Sequence, residues 1–264
     1  MKKIFPLGIL LLFFATITTL SAQQNQITLD QIWNGSFVTQ GLDVLRSLNN
    51  GKEYSVLNSN RQKSAFTVDV YDYKSGEKVR TLINTNALEG INKIVSYEFN
   101  KDESKILFST EKKKVYRRST LGTYYVYDLK TKTFNLVSKN KIQEPTFSND
   151  GSKIAYGFEN NLYYTDLSSG KTTQLTTDGK KNSIINGITD WVYEEEFAFV
   201  RAFEWSLEGD KLAFIRFDET EVPKYTMDVY GNDLYPSAEV FKYPKAGEDN
   251  SKVSLHIYDL ASEK

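Results

Sequence analysis

The feature that most constrains the fold is a short motif that recurs along the chain. Each copy has an aromatic or apolar residue, a polar turn with Asp, Asn or Gly, a Lys and a β-rich run. Strong copies begin at Phe99, Phe147 and Trp205, and a weaker copy begins at Leu48. Because Gly, Asn and Asp suit tight hairpin turns, each copy predicts a strand, a turn and a second strand.

A second motif closes most of these units. An alternating strand runs into an Asp-containing turn at Tyr71-Asp72, Tyr127-Asp128, Thr165-Asp166 and Tyr258-Asp259. Units of about 40–50 residues with several short antiparallel strands are typical of β-propeller blades. We therefore predict an all-β, partial β-propeller of about four blades. A β-sandwich is the alternative, because it has turn signals at similar intervals.

Composition excludes several classes of function. The sequence has no cysteine, which rules out disulfides, thiol catalysis and cysteine-based zinc sites. Its formal net charge of -1 gives no reason to expect a nucleic-acid partner. The metalloprotease sequence His-Glu-x-x-His and a Gly-rich phosphate loop with Lys are both absent from the sequence. We therefore expect neither a metal nor a cofactor.

The first residues resemble a secretory signal. Lys2 and Lys3 precede an apolar run, Ile4–Leu20, which ends at the small-residue site Leu20-Ser21-Ala22. This pattern predicts a signal peptide over residues 1–22, a mature domain over residues 23–264, and export to the periplasm or the cell exterior. A retained N-terminal membrane anchor is the alternative, although a run of 17 residues that carries Thr16, Thr18 and Thr19 is marginal for a span.

Motifs for catalysis are missing from this sequence. It contains no Gly-x-Ser-x-Gly nucleophile elbow. Its single histidine, His256, lies in the predicted strand 253–258, where we expect a structural role. We therefore expect no catalytic residue among these 264 positions.

An acidic run, Glu194-Glu195-Glu196, stands in an apolar frame between Asp190 and Arg201. Apolar residues at 192, 193, 197 and 200 have near-helical spacing, which predicts a short helical insertion. The run is either a solvated acidic edge, with one Glu paired to Arg201, or a binding site for an ammonium group. Two adjacent carboxylates can accept charge-assisted hydrogen bonds from an ammonium group, which has three donors.

A basic pair, Arg117-Arg118, follows the run Lys112–Lys114. One interpretation is a charged strand edge, which prevents edge-to-edge aggregation. The other is a guanidinium group that binds a carbonyl or a carboxylate.

The stretch from Asn186 to Glu196 closely resembles the double-glutamate motif of the dipeptidyl peptidase IV family. The segments Glu219–Pro223 and Tyr243–Gly247 resemble family segments at the expected places after it, and the resemblance runs from about residue 90 to the end. It implies an eight-bladed propeller followed by an α/β-hydrolase domain. It also implies a serine exopeptidase that releases dipeptides from peptide N-termini with Pro or Ala at the second position.

The resemblance also implies roles for individual residues. Glu195 and Glu196 are expected to hold the substrate's α-ammonium group, and Arg117 to orient the carbonyl of its first peptide unit. Arg117 is chosen by counting back from Tyr127-Asp128-Leu129, and Arg118, one residue away, is the alternative. The aromatic-rich segment from Tyr225 to Pro244 is expected to form an arm used in homodimer contact, or else a hairpin folded back on its own blade.

Members of this family carry the catalytic Ser, Asp and His in the C-terminal hydrolase domain. We therefore expect this chain to be a fragment, a truncated product or a partial gene model, and to be inactive alone. The competing function is a non-catalytic propeller module that binds a peptide or a protein.

Overall fold

The computed structural model describes residues 26–39, 41, 44–60 and 65–263. The chain divides into two compact units, Met1–Leu42 and Asp43–Lys264. In the described part of the first unit, a short helix, α1 (Leu29–Trp33), begins with a capping box between Thr28 and Gln31. The signal peptide predicted over residues 1–22 lies outside the described residues. None of the described helices is long and apolar enough to cross a membrane.

The second unit begins with two four-stranded antiparallel sheets, each with its strands in sequence order. Blade 1 contains β1 (Leu45–Ser47), β2 (Glu53–Asn60), β3 (Ala65–Asp72) and β4 (Lys78–Asn84). A short 3-10 helix, Thr85–Ala87, follows it. Blade 2 contains β5 (Ser96–Phe99), β6 (Lys105–Lys114), β7 (Thr120–Asp128) and β8 (Phe134–Leu136).

Two further sheets follow in the same unit. Blade 3 contains β9 (Gln143–Phe147), β10 (Lys153–Phe158), β11 (Asn161–Asp166) and β12 (Thr172–Gln174). Blade 4 is centred on β15 (Lys211–Asp218), which pairs with β13 (Ile184–Asn186) and β14 (Phe203–Trp205) along one edge and with β18 (Lys252–Asp259) along the other.

Two elements interrupt blade 4. A short helix, α2 (Trp191–Phe197), lies between β13 and β14, and it carries the acidic run as predicted. A two-stranded hairpin of β16 (Lys224–Val229) and β17 (Ser237–Lys242) lies between β15 and β18. We call this hairpin the arm.

Burial along the central strands distinguishes the propeller from the sandwich. On β6, Ile106 and Phe108 pack into a core shared with blade 1, whereas Leu107 packs into a core shared with blade 3. On β10, Ile154 faces blade 2 and Ala155 faces blade 4. Because successive side chains of a strand point to opposite faces, each of these blades is covered on both faces by its neighbours. That arrangement confirms a partial propeller with four blades in the described residues.

Both recurring motifs form the turns that they predict. After β3, Asp72 Oδ1 accepts hydrogen bonds from the backbone N–H groups of Lys74 at 3.0 Å and Ser75 at 2.8 Å, and Gly76 then takes a positive φ of 70°. Asp128, Asp166 and Asp259 make equivalent bonds after β7, β11 and β18. The short Asp side chain replaces missing backbone partners in the turn, so its recurrence marks the strand ends.

Candidate functional site

The site is built on α2, whose position is determined by its first residues. Asp190 caps the helix, because its Oδ1 accepts a hydrogen bond from the backbone N–H of Tyr193 at 2.9 Å. The Tyr193 ring packs edge-on against Phe217 of β15, with centroids 5.0 Å apart. The Trp191 ring packs against Tyr243, with centroids 4.5 Å apart. The helix is therefore held between blade 4 and the segment after the arm.

The three glutamates of α2 differ in their surroundings. Consecutive residues on a helix are rotated by about 100°, so the three side chains point in different directions. Glu194 is fully buried, Glu195 is partly buried and Glu196 is exposed. A single solvated acidic edge is therefore wrong for Glu194, and burial divides the run into one internal carboxylate and two that solvent reaches.

Glu194 binds the loop that carries the arginine pair. Its Oε1 accepts hydrogen bonds from the backbone N–H groups of Arg118 at 2.5 Å and Ser119 at 2.9 Å. In return, Arg118 Nη1 donates a hydrogen bond to the backbone carbonyl of Glu194 at 3.1 Å. These bonds join α2 to the loop 115–119 between β6 and β7 across about 75 residues of sequence. The arginine pair therefore lies in a hairpin loop, and the strand-edge interpretation is wrong.

Arg117 faces away from this buried contact and reaches the second glutamate. Its Nε lies 2.8 Å from Glu195 Oε2. The Arg117 side chain is 72% exposed, whereas that of Glu195 is 15% exposed. An ion pair this open to solvent contributes little to stability, and the Arg117 side chain stays largely exposed. Arg201, the alternative partner of the acidic run, instead pairs with Glu204 at 3.0 Å.

The structure therefore brings together Arg117 and Glu195, and Glu196 is exposed on the next position of the same helix. Arg117 and Arg118 also separate by role: Arg118 binds the helix backbone, and Arg117 pairs with a carboxylate at the surface. Sequence reasoning missed Glu194 as the residue that joins the two segments. Its only signal was the apolar frame, because backbone partners 75 residues away cannot be seen in the sequence.

The single histidine has a structural environment. His256 Nε2 lies 2.7 Å from Ser254 Oγ on the exposed strand β18, and its ring stacks on Phe214 at 5.3 Å. A catalytic dyad needs a third group that orients the base. Among the described residues, no carboxylate forms an ion pair with this ring. The described residues also contain no group of three or more His, Asp or Glu side chains that could hold a metal ion.

Comparisons with known proteins identify the family to which the chain belongs. Residues 100–264 match the family described as the dipeptidyl peptidase IV (DPP IV) N-terminal region. The chain is 32% identical over 238 residues to prolyl endopeptidase FAP of Homo sapiens, covering 88% of this chain and 30% of that protein. It is 37% identical over 179 residues to a probable dipeptidyl-aminopeptidase B of Arthroderma gypseum, covering 62% of this chain and 19% of that protein.

A solved structure supports the same assignment. The crystal structure of Porphyromonas gingivalis dipeptidyl peptidase 4 superposes with a TM-score of 0.80 at 37% identity, covering 90% of this chain and 34% of that one. The chain thus spans about a third or less of the length of each of these relatives. The chain belongs to the dipeptidyl peptidase IV family, and it matches that family's N-terminal region.

Proposed function

We propose that this chain is the substrate-recognition part of an exported serine dipeptidyl peptidase that releases X-Pro or X-Ala dipeptides. Glu195 and Glu196 bind the α-ammonium group of the peptide, and Arg117 binds the carbonyl of its first peptide unit. The observation that carries the proposal is the contact between Arg117 Nε and Glu195 Oε2 at 2.8 Å, beside the exposed Glu196. A guanidinium donor thus lies beside one carboxylate, and the second carboxylate of the proposal follows on the same helix.

The chemistry of a peptide N-terminus matches this arrangement. An α-ammonium group carries one positive charge and three donors, and two carboxylates can neutralise the charge and accept two of the donors. The Nη groups of a guanidinium can donate to the carbonyl oxygen that follows. A site of this kind requires a free, charged N-terminus. By holding that N-terminus, it determines which peptide bond of the substrate reaches the catalytic groups.

The proposal assigns none of the residues 1–264 to the hydrolysis step itself. The only histidine, His256, is bound to Ser254 on an open strand, and the sequence contains no Gly-x-Ser-x-Gly elbow. We assign nucleophile, base and oxyanion hole to a hydrolase domain of the full-length gene product. The competing proposal is a non-catalytic propeller module, which binds a peptide at the same three residues without cutting it.

Steady-state kinetics on the full-length gene product test the proposal. Glu195→Gln and Glu196→Gln keep the side-chain shape but remove one charge each, and loss of one partner from a desolvated charge pair costs about 2–5 kcal/mol. We expect kcat/KM for a Gly-Pro chromogenic substrate to fall roughly 30-fold or more. An N-acetylated substrate should be almost inert, because it has no ammonium group.

Two results would oppose the proposal. We call Glu195 and Glu196 the clamp. Rates close to wild type in both variants, or efficient cleavage of the acetylated substrate, would contradict its proposed role in binding the ammonium group. Binding of a Gly-Pro peptide without any turnover by the full-length product would favour the non-catalytic module. Arg117→Ala should raise KM and leave the melting temperature unchanged. Arg118→Ala is the matched control and should not give this combination, because Arg118 also binds the helix backbone and its loss should change the melting temperature.

A further inference from the structure

Blades 2, 3 and 4 border an open cavity of about 870 Å³ that the proposed ammonium-binding residues Glu195 and Glu196 do not line. This volume lies within the range of small-molecule sites. Its walls come from the loop after β6, the turn between β10 and β11, the segment before β13 and the end of β15. The lining combines apolar side chains with the amide side chains of Asn140, Gln143, Asn160, Asn161 and Asn182.

Two carboxylates line this cavity: that of Glu159, which is exposed, and that of Glu219, which is buried. Glu219 follows β15 directly, is 6% exposed, and is held in place by a hydrogen bond from its backbone N–H to the Ser183 carbonyl at 2.8 Å. Among the residues that the structure describes, none forms a hydrogen bond or an ion pair with its carboxylate. The residue is buried, but its carboxylate oxygens stay accessible from the cavity, so the group can meet a ligand there.

The nearest cation does not satisfy Glu219. Lys242 is 8% exposed, and its Nζ donates to the backbone carbonyls of Thr220 at 2.8 Å and Val222 at 2.6 Å. Two of its three donors are therefore committed to the chain itself. Burial, together with the nearby Asp190 carboxylate, raises the pKa of Glu219 to about 7, and Lys242 opposes that rise.

The cavity lining also contains three lysines. Lys180 and Lys181 line it and are exposed, and neither forms an ion pair with a residue that the structure describes. Lys141, a third lining lysine, pairs with Glu111 at 3.0 Å. The cavity is thus lined by one buried carboxylate that forms no hydrogen bond or ion pair with a described residue, and by two exposed ammonium groups that form no ion pair with one.

We propose that this cavity binds a small zwitterion, an amino acid or a short peptide, with its ammonium group on Glu219 and its carboxylate on Lys180 and Lys181. The ammonium group has three donors; the Glu219 carboxylate accepts at least one, and the hydroxyls of Tyr116 and Thr189 line the same cavity. The binding of a cation favours the charged form of Glu219. The site is separate from the proposed clamp and does not depend on it.

Isothermal titration calorimetry on the full-length gene product tests this proposal with three probes: 4-aminobutyrate, n-propylammonium and N-acetyl-4-aminobutyrate. We expect 4-aminobutyrate to bind, and Glu219→Gln to weaken it at least about tenfold, the loss that corresponds to about 1.4 kcal/mol. Lys180→Ala with Lys181→Ala should weaken 4-aminobutyrate several-fold but leave n-propylammonium unchanged. The acetylated probe should not bind.

Binding should also strengthen as the pH rises from 6 to 8, because Glu219 loses its proton through about 7. Among the ionisable groups near it, Asp190 raises its pKa and Lys242 lowers it, and Glu159, Lys141, Lys180 and Lys181 line the same cavity. Burial raises the pKa of Tyr116 to about 12, outside this window. Glu195→Gln serves as the control that separates this site from the clamp. Its cavity binding should match wild type, even if its effect on peptide cleavage is large.

The proposal is wrong if wild-type protein gives no binding heat with millimolar 4-aminobutyrate, or if Glu219→Gln binds it as well as wild type. It is also wrong if Glu195→Gln abolishes the binding, since the probe would then occupy the clamp. Should Glu219→Gln not fold, the exposed lysine variants decide: equal binding of 4-aminobutyrate by Lys180→Ala with Lys181→Ala and by wild type overturns the proposal.

Discussion

Glu194 accepts a hydrogen bond from the backbone N–H of Arg118 at 2.5 Å, across 76 residues of sequence. The same carboxylate oxygen accepts from Ser119, while its other oxygen, Oε2, is buried without a partner among the described residues. The carboxylate therefore holds the arginine loop against α2. The distance between Arg117 and Glu195 depends on this buried contact.

Replacing Glu194 should therefore loosen the contact between α2 and the loop that carries Arg117. Glu194→Ala leaves the buried N–H of Ser119 and the partly buried N–H of Arg118 without an acceptor, and an unsatisfied buried group costs about 1–3 kcal/mol. We expect a lower melting temperature together with a fall in kcat/KM of the full-length product. Glu194→Gln keeps one accepting oxygen in place, so it should be milder in both measurements. Equal effects of Gln and Ala would show that the charge, and not the backbone contact, is what matters.

Gly187, the second residue of the Asn-Gly pair before α2, should not tolerate a side chain. Its φ is +72°, and a Cβ there would lie 2.5 Å from Cδ2 of Leu162, a fully buried residue of the core between blades 3 and 4. Gly187→Ala combines a left-handed backbone strain of about 1–2 kcal/mol with overpacking of about 1–3 kcal/mol. Urea unfolding should show a loss of about 2–5 kcal/mol.

Gly170 provides the matched control for this substitution. Its φ is +69°, nearly the same, but a Cβ there meets nothing within 4 Å. Gly170→Ala should therefore carry the backbone strain alone, about 1–2 kcal/mol. If the two variants lost the same stability, the contact with Leu162 would be unimportant.

Much of this fold could be predicted from local patterns. The Asp turns and the alternating strands depend on residues within about ten positions of one another, and the strands of blades 2 and 3 follow the motifs at Phe99 and Phe147. Blade 4 was harder, because β13 and β14 share one edge of β15 and are separated by α2. No local sequence pattern predicts that β13 and β14 both pair with β15.

The residues of the two proposed sites also differ in whether the sequence could predict them. Glu195, Glu196 and Arg117 could be named from a resemblance carried by the residues around them. Glu194 and Glu219 could not, because their burial depends on distant parts of the chain: Glu194 on the loop before β7, and Glu219 on the walls of three blades. A charged residue is exposed by default, so its burial is visible only once the fold is known.

Acid should weaken the blade turns through their aspartates. Hydrogen bonds from the hydroxyls and backbone N–H groups of Ser168 and Ser169 lower the pKa of Asp166 to about 2, against about 3.9 in an unfolded chain. A depressed carboxyl pKa stabilises the folded state above the unfolded value, and that contribution is lost as the pH falls through the folded one. Stability should thus decline between about pH 4 and pH 2.

Asp166→Asn tests this linkage. The amide cannot titrate, so urea unfolding of the variant should depend less on pH than that of wild type between pH 4 and pH 2. Ser168→Ala removes one donor to Asp166 and should act in the same direction by moving the pKa toward its unfolded value. A pH profile that is identical in all three proteins would contradict the assignment.

The tip of the arm should carry the subunit contact proposed for this family member. Tyr230, Leu234 and Tyr235 are 79%, 89% and 79% exposed, so the tip does not fold back on its own blade. The base is anchored, because Tyr243 packs on Trp191 of α2. Exposed aromatic and large apolar side chains on a two-stranded projection are typical of an interface.

Replacing residues 230–236 by an Asn-Gly turn, which suits a two-residue hairpin, tests this contact without disturbing the base. In the full-length gene product, light scattering should show a dimer for wild type and a monomer for the variant, with unchanged circular dichroism. A triple change to Ser at Tyr230, Leu234 and Tyr235 keeps the loop length and should weaken the dimer in the same way. A dimer that survives both changes would place the subunit contact elsewhere.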